Sequence, residues 1–304
     1  MTLIEDIYTL PGFTEGFAEI NSARLHYVSV GQGELMLFVH GFPEFWGEWA
    51  EQLAEFGRDC RAVAFDMRGY NLSSRPSDSG EYHVLHLIED IRGLVRHLGH
   101  DTFTLVAHDW GGAVAWAFAN RYPDMVDRLV VINAPHGAVF ARELLNNPAQ
   151  REASQYMLLL RGPEAEEKLA RNDYAWPAEA LWGDGSRWRA EERDRLKYAE
   201  AWSRPGAMTG AVNYYRASPL YPPTTPEDET RLQGILDLDK KMFQVVVPTL
   251  VIWGEQDHAL LIGNLDGLED YVPDLTVARI PDGTHWVVHE RAEEVNRLIR
   301  AFIQ

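Results

Sequence analysis

The segment Ala107-His108-Asp109-Trp110-Gly111 gives the strongest single indication of how this chain folds. It lies between a run typical of a buried strand, Thr102–His108, and a run typical of a helix, Gly111–Tyr122. The small residues that flank the centre allow a sharp turn, which holds the central side chain on a strained, exposed tip. An aspartate just before a helix also caps it well, so the pattern alone leaves both a nucleophile and an N-cap open.

The residue at the centre of this turn decides which bond the site can break. A serine that attacks an sp³ carbon would form an ether, which water does not readily cleave. A carboxylate that attacks the same carbon forms an ester, and water attacking the ester carbonyl restores the aspartate. Asp109 therefore indicates alkyl transfer from an epoxide or an alkyl halide, rather than cleavage of an ester or an amide.

Short apolar runs alternate with helical patterns along most of the chain. Strands that alternate with helices predict an α/β fold with a mostly parallel central sheet flanked by helices. The predicted strands are Leu25–Val30 and Leu35–His40, expected to be neighbours joined by the turn Gly31-Gln32-Gly33, then Cys60–Asp66, Thr102–His108, Arg128–Asn133, Thr249–Trp253 and Thr276–Ile280; the predicted helices are His83–Leu98, Gly111–Tyr122 and Arg291–Ile303.

The alternation stops between residues 136 and 240. Few strand-like runs occur there, and the segment is helical and rich in charge, as in Arg187–Glu200. We interpret residues 136–240 as a helical cap (lid) domain, inserted into a core domain formed by residues 1–135 and 241–304.

Two further loops carry candidate catalytic residues. Asp257 follows the strand Thr249–Trp253, and His285 follows the last strand; the carboxyl ends of parallel strands gather at one edge of a sheet. Either residue alone would fit a plain loop, but the order Asp109, Asp257, His285 is the hydrolase order of nucleophile, acid and base. His285 and His289 are four residues apart, yet a third ligand and the Glu of a His-Glu-x-x-His motif are missing, so we expect no metal.

The segment His40-Gly41-Phe42-Pro43 follows a predicted strand directly. Its backbone could face the nucleophile, and we expect the N–H groups of Phe42 and Trp110 to form an oxyanion hole. A plain loop between a strand and a helix would show the same Gly and Pro, so this motif carries weight only together with the others.

Charge and composition exclude several classes of protein. The 304 residues include 28 Lys and Arg against 46 Asp and Glu, a net charge of −18, which argues against binding nucleic acid or an anionic membrane. The single cysteine, Cys60, excludes an internal disulfide. The N-terminus, MTLIEDIYTLPGF, lacks the basic and apolar regions of a signal peptide, and no apolar run reaches about 18 residues. We expect a cytoplasmic protein that is a monomer or a homodimer.

Taken together, these motifs resemble the α/β-hydrolase fold, and within it the soluble epoxide hydrolase-like family, whose relatives include haloalkane and fluoroacetate dehalogenases. The resemblance covers nearly all of the chain and rests on His40–Glu44, His108–Gly112 and the loops of Asp257 and His285. It implies an α/β-hydrolase fold with a helical cap.

In that family the cap supplies two tyrosines whose hydroxyl groups hold the epoxide oxygen. Ser154-Gln155-Tyr156-Met157-Leu158 is similar to the segment that carries the first, and Asn213-Tyr214-Tyr215-Arg216 to the segment that carries the second. The resemblance therefore implies this role for Tyr156 and Tyr215, although Tyr214 could be confused with Tyr215 and each tyrosine would also fit the apolar interior of a cap.

The activity that the resemblance implies is hydrolysis of an epoxide to a diol. Asp109 would attack an epoxide carbon, and His285, oriented by Asp257, would activate the water that hydrolyses the resulting ester. The substrates are then a small apolar epoxide, or an organohalide, and water, with no metal or organic cofactor. The pocket is expected to be lined by His40, Trp110, Trp286 and Tyr214.

Two other functions stay open. A dehalogenase would use the same Asp109, with Trp110 against the halide, but the Asn that follows His-Gly in many haloalkane dehalogenases is Phe42 here. The arginines with which fluoroacetate dehalogenases grip a carboxylate are replaced by Trp110 and Ala113. A ligand-binding protein that keeps the fold without turnover would usually show a broken triad, and here the triad is intact in sequence.

Overall fold

The central sheet of the computed structural model contains eight strands, and the structure describes residues 4–304. Its order is β1-β2-β4-β3-β5-β6-β7-β8; β1–β2 and β2–β4 are antiparallel, and all other pairs are parallel. The strands are β1 (Thr14–Ile20), β2 (Ala23–Val30), β3 (Leu35–Val39), β4 (Arg61–Phe65), β5 (Phe103–His108), β6 (Val126–Ile132), β7 (Thr249–Gly254) and β8 (Leu275–Ile280).

Helices cover the two faces of the sheet and form the insertion between β6 and β7. They are α1 (Ile4–Ile7), α2 (Ala50–Phe56), α3 (Val84–His97), α4 (Asp109–Arg121), α5 (Gly137–Asn146), α6 (Pro148–Ala153), α7 (Gln155–Arg161), α8 (Ala165–Trp182), α9 (Glu192–Ser203), α10 (Ala207–Ala217), α11 (Pro226–Leu236), α12 (Val287–Glu290) and α13 (Ala292–Ile303). Short 3-10 helices cover Trp46–Trp49, Ser79–Tyr82, Pro123–Met125, Lys240–Phe243, Ile262–Leu265 and Leu268–Asp270.

Burial along the strands explains why these runs form the core. Every residue of β3 and of β7 is buried, as expected for central strands that have helices on both faces. In β1 only Ala18 and Ile20 are buried, because this strand lies at the edge of the sheet. Its largely polar sequence gives a weak strand signal, and β1 is absent from the predicted strands.

The predicted α/β class and the mostly parallel sheet are confirmed, but the predicted pairing of the second and third strands is wrong. Strand β4 lies between β2 and β3, pairing with the former in antiparallel and with the latter in parallel orientation. The turn at Gly31–Gly33 therefore leads out of one strand without closing a hairpin. The cause is that β3 is fully buried and takes parallel partners on both sides, β4 and β5.

The segment between β6 and β7 is helical throughout its regular structure, with α5 to α11 and no strand among the described residues 133–248. Helix α9 begins at Glu192, five residues later than the predicted helical stretch that starts at Arg187. Among residues 4–304, no helix has both the length and the apolar character that crossing a bilayer requires. Residues 1–3, the start of the N-terminal segment assessed from sequence, lie outside the described residues.

Candidate active site

The turn between β5 and α4 holds Asp109 in a strained backbone conformation, and we call residues Ala107–Gly111 the nucleophile turn. Asp109 has a φ of 49°, in the left-handed region that non-glycine residues rarely occupy. A Cβ at Gly111 would lie 2.2 Å from the carbonyl oxygen of Val39, and a Cβ at Gly112 would lie 2.3 Å from the Cβ of Ala134. The chain therefore needs glycine at both positions to bring α4 against the sheet.

Asp109, His285 and Asp257 come together from three loops at the carboxyl edge of the sheet. The His285 Nδ1 atom lies 2.7 Å from an oxygen of Asp257, and the Nε2 atom lies 3.5 Å from an oxygen of Asp109. Side chains of His285 and Asp109 are each 12% exposed, so the carboxylate can reach a bound molecule while most of its surroundings exclude water. The structure thus brings the three predicted residues together, with His285 in contact with both Asp257 and Asp109.

Asp257 is fixed by more donors than the sequence indicated. One of its oxygens accepts hydrogen bonds from the backbone N–H groups of Ala259 (2.8 Å) and Leu260 (2.9 Å). The other accepts from the Asn133 side-chain amide at 2.8 Å as well as facing His285. Asn133, which follows β6 directly, was not predicted as a site residue; an Asn at the carboxyl end of a strand beside the nucleophile strand was the available signal.

Asp109, Asp257 and His285 shift one another's pKa values in the direction that favours their charged forms. Burial would raise the pKa of Asp109, but hydrogen bonding and the charge of His285 lower it below its ordinary value. The pKa of Asp257 is lowered in the same way, since His285 and its hydrogen-bond donors outweigh burial. Burial would lower the pKa of His285, yet the two carboxylates raise it well above its ordinary value. These shifts favour an imidazolium between two carboxylates in the resting site.

A backbone donor faces Asp109 from the loop after β3, residues His40–Pro43, which we call the oxyanion loop after the role predicted for it. The N–H of Phe42 donates to an oxygen of Asp109 at 2.7 Å, and the Phe42–Pro43 peptide bond is cis. A Cβ at Gly41 would lie 2.4 Å from the Cβ of Asp109, so only glycine lets the loop approach this closely. Trp110 lies in the first turn of α4, where N–H groups have no carbonyl partner within the helix. Its part in an oxyanion hole stays a prediction.

Two tyrosines from the helical insertion reach the cavity beside Asp109. Tyr156 comes from α7 and Tyr215 from α10; their ring centres are 6.1 Å apart. Tyr215 also packs edge-on against Trp110, with ring centres 5.0 Å apart. The hydroxyl of the neighbouring Tyr214 instead donates a hydrogen bond to the carbonyl oxygen of Arg68 at 2.7 Å. Of these two neighbours, Tyr215 is therefore the one whose hydroxyl makes no such bond to the backbone; it interacts instead with Tyr156 and Trp110.

The cavity next to Asp109 has a volume of about 400 Å³, which is within the usual range for small-molecule pockets. One wall is a stripe of α4, where the lining residues Asp109, Ala113, Ala117 and Arg121 follow one another at intervals of four. Apolar side chains from α3, α5 and the segment around Met242 form further parts of the wall, together with residues of α7 and α10. The cavity is thus an apolar space with the carboxylate and the two phenols at one end.

Trp110 and Tyr214 line this cavity as predicted, whereas His40 and Trp286 do not belong to its lining. The His40 side chain is completely buried; one ring nitrogen lies 2.9 Å from the Gly41 carbonyl oxygen, and the other accepts the N–H of Met67 at 3.0 Å. Trp286 packs against His285, with ring centres 4.8 Å apart. Both side chains brace the loops behind the site.

A buried group of acids and histidine lies behind the nucleophile turn. Within residues 4–304, Glu44, Glu48 and His108 bring one potential metal-ligand atom each to within 4.8 Å of one another. The Nε2 atom of His289 lies 2.8 Å from an oxygen of Glu44, next to this group. Glu48 was not singled out from the sequence, since a glutamate between two tryptophans gives no signal of complete burial.

Comparison with known proteins places this geometry in a family. Residues 34–292 match the alpha/beta hydrolase fold family. Epoxide hydrolase 1 of Caenorhabditis elegans is 34% identical over 310 residues, covering 97% of this chain and 71% of that protein. Epoxide hydrolase 3 of Xenopus tropicalis is 36% identical over 293 residues, covering 92% of this chain and 75% of that protein.

Solved structures agree with these relatives. The crystal structure of a Bacillus megaterium epoxide hydrolase in complex with an inhibitor matches with a TM-score of 0.87 and 36% identity, covering 95% of this chain and 99% of that one. The match extends over the sheet and the helical insertion together, since it leaves out only a small part of either chain. The chain belongs to the alpha/beta hydrolase fold family, and the three relatives described above are epoxide hydrolases.

Proposed function

We propose that this protein hydrolyses an apolar epoxide to a vicinal diol through a covalent hydroxyalkyl ester on Asp109. The observation that carries the proposal is that Tyr156 and Tyr215 line the same cavity as the Asp109 carboxylate. A carboxylate nucleophile together with two phenol donors suits a substrate whose leaving oxygen stays attached to the carbon skeleton. Residues 136–240, which supply both phenols, then serve as a cap domain over the core.

The first step is attack of Asp109 on one epoxide carbon. The lowered pKa of Asp109 keeps this carboxylate ionised at neutral pH, as a nucleophile requires. A C–O bond forms between the carboxylate and the carbon while the C–O bond of the epoxide breaks, and the electron pair moves to the epoxide oxygen. Tyr156 and Tyr215 donate hydrogen bonds to that oxygen as its negative charge develops.

Burial keeps both phenols protonated before the attack. It raises the pKa of Tyr156 and of Tyr215 above the ordinary value, and the negative charge of Asp109 raises both further. A proton on each hydroxyl is what a hydrogen-bond donor needs. The same environment makes the phenolate unfavourable, so the proton that finally neutralises the alkoxide comes from outside the phenols: from the imidazolium of His285 in the native protein, and from solvent water when that residue is replaced.

The second step needs a neutral His285, and alkylation of Asp109 provides it. Ester formation removes one of the two negative charges that raise the pKa of His285. The histidine, which has given up its proton to the alkoxide, then takes one from a water molecule, with Asp257 at 2.7 Å holding the ring. The hydroxide attacks the ester carbonyl, whose oxygen lies against the N–H of Phe42. The diol leaves and Asp109 is restored.

Trapping the ester in a variant without the base tests this proposal. We expect His285→Gln to gain the mass of styrene oxide in intact-protein mass spectrometry, and the gain to disappear when Asp109→Asn is added. Parallel samples contain 1,2-dibromoethane and bromoacetate. A gain only with a halide would make the protein a dehalogenase and leave the tyrosines as pocket lining, whereas no gain across a broad panel of epoxides would contradict turnover.

A further inference from the structure

Glu48 lies on the 3-10 helix Trp46–Trp49, directly behind the catalytic loops, and its side chain is completely buried. One carboxyl oxygen accepts the backbone N–H of Gly41 at 3.0 Å, one residue before the Phe42 donor. The other lies 2.8 Å from the Nδ1 atom of His108, the residue that precedes Asp109. A single side chain thus contacts both the oxyanion loop and the nucleophile turn.

The Glu48 oxygen and the His108 Nδ1 atom are not aligned as a hydrogen bond and neither has another hydrogen-bond partner, but two buried lone-pair atoms 2.8 Å apart repel each other unless one of them carries a proton. The other ring nitrogen of His108, Nε2, lies 2.9 Å from the carbonyl oxygen of His285. A carbonyl oxygen only accepts, so Nε2 must carry the hydrogen. In a neutral imidazole, Nδ1 is then an acceptor, and its partner Glu48 must supply the proton.

The alternative, an imidazolium at His108 paired with an ionised Glu48, is disfavoured by the surroundings. Burial lowers the pKa of His108 to about 4, and the positive charge of His285, whose ring centre is 4.7 Å away, lowers it as well. Burial raises the pKa of Glu48 well above its ordinary value, and the negative charges of Glu44 and Asp109 raise it too, against the opposing effect of His289.

Neighbouring Glu44 takes the negative charge of this buried group. Burial would raise its pKa, but the charge and hydrogen bond of His289 lower it below the ordinary value. One oxygen of Glu44 is bound by His289 and by the hydroxyl of Tyr198. Two ionised carboxylates side by side in the interior would repel each other, so protonation of Glu48 is the arrangement that leaves one charge, on the acid that His289 and Tyr198 contact.

We propose that Glu48 is a protonated carboxylic acid that joins the oxyanion loop to the nucleophile turn and acts as a positioning residue for hydrolysis of the ester. The inference rests on the proposed function only for its kinetic part. As a neutral group, Glu48 fixes the peptide next to the Phe42 donor without adding negative charge where the oxyanion forms. An ionised acid at this place would oppose that charge.

Two substitutions of similar size separate the neutral acid from the carboxylate. In Glu48→Gln the amide oxygen can accept from Gly41 and the amide NH₂ can donate to His108, as the protonated acid does. Glu48→Met fills the space but can do neither. We expect the methionine variant to lose about tenfold or more in the single-turnover rate of ester hydrolysis, with substrate binding and the alkylation rate little changed because Glu48 does not line the cavity, and the glutamine variant to recover most of that loss.

The protonation state has its own readout, which does not depend on turnover. The infrared difference spectrum of the native protein minus Glu48→Gln, at neutral pH, should contain the carbonyl band of a protonated carboxylic acid, sensitive to deuterium exchange. A carboxylate band in its place would overturn the assignment. If the native protein hydrolysed no epoxide, the proposed function would fail while this measurement would still decide the state of Glu48.

The remaining outcomes also test the protonation state and the positioning role of Glu48. Equal losses in the glutamine and methionine variants would mean that the ionised carboxylate is needed. Unchanged hydrolysis in the methionine variant would remove the positioning role. If Glu48→Met did not fold, the glutamine variant and the infrared band would carry the test; a glutamine variant that did not fold would itself contradict a neutral acid. Activity lost with EDTA and restored by a divalent metal would assign the group to a cation, which requires Glu48 ionised.

Discussion

Removing the two phenol hydroxyls, singly and together, is the sharpest perturbation of the proposed mechanism. Tyr156→Phe and Tyr215→Phe each delete one oxygen atom and keep the ring. The rings have packing roles of their own, since Tyr215 lies edge-on to Phe42 and Trp110 with ring centres 5.3 and 5.0 Å away. Phenylalanine preserves these contacts, so the loss of rate can be attributed to the hydroxyl groups.

The expected magnitude follows from the burial of the site. A hydrogen bond to a charged group contributes about 1.5–3 kcal/mol, and about 1.4 kcal/mol corresponds to a factor of ten in rate. Each single variant should therefore slow alkylation by about ten- to a hundredfold. The epoxide oxygen in the double variant would have neither donor in a cavity with mainly apolar walls, so we expect a loss of about a thousandfold or more.

Stopped-flow fluorescence of tryptophan under single-turnover conditions measures this step directly, because Trp110 adjoins the alkylated aspartate. Tyr214→Phe is the matched control: its hydroxyl bonds the Arg68 carbonyl, so its loss should lower stability by about 1 kcal/mol and leave the alkylation rate near that of the native protein. A double variant that alkylated within about threefold of the native rate would refute the assignment of the tyrosines.

Three further predictions concern the loops around the nucleophile. Asp109→Asn should lower the pKa of His285, because it removes one of the two carboxylates that raise it. An NMR titration of the imidazole that showed no downward shift would contradict the interaction of His285 with both Asp109 and Asp257. Asn133→Ala should slow ester hydrolysis by about ten- to a hundredfold, since Asp257 loses a charged hydrogen bond and Gly254 N–H its acceptor; rapid-quench analysis showing an unchanged hydrolysis rate would exclude this role. Gly41→Ala should abolish detectable turnover in a folded protein, because its Cβ would lie 2.4 Å from the Cβ of Asp109; retention of steady-state activity would mean that the loop can move aside.

The parts of the site that sequence could predict are those in which a residue type and a strand end coincide. Asp109, Asp257 and His285 each follow a strand whose apolar run is plain in the sequence, and the parallel sheet brings those ends together. Helix α3 was predicted to within one residue at each end, because its apolar positions repeat at helical spacing over several turns.

The parts that sequence could not predict depend on partners far apart along the chain. The burial of Glu48 is set by contacts with His108 and the Gly41 peptide, and no local pattern contains them. The pairing of β2 with β4 likewise results from competition among strands for partners in the centre of the sheet. His40 was placed in the pocket because its motif adjoins the nucleophile, but sequence does not give the direction of a side chain behind a loop.

The residues of α4 that line the cavity lie at increasing distances from Asp109, so each position along the helix corresponds to a different depth in the cavity. With a rise of about 1.5 Å per residue, Arg121 lies about 18 Å along the helix axis from Asp109, and Ala113 and Ala117 mark the first and second turns between them. Both alanines leave the passage open, so a larger side chain at Ala113 would admit only short molecules, and one at Ala117 somewhat longer ones. In the proposed mechanism, position along α4 corresponds to distance from the carbon that Asp109 attacks, and we expect one substitution in this helix to change chain-length selectivity while Asp109, Asp257 and His285 stay unchanged.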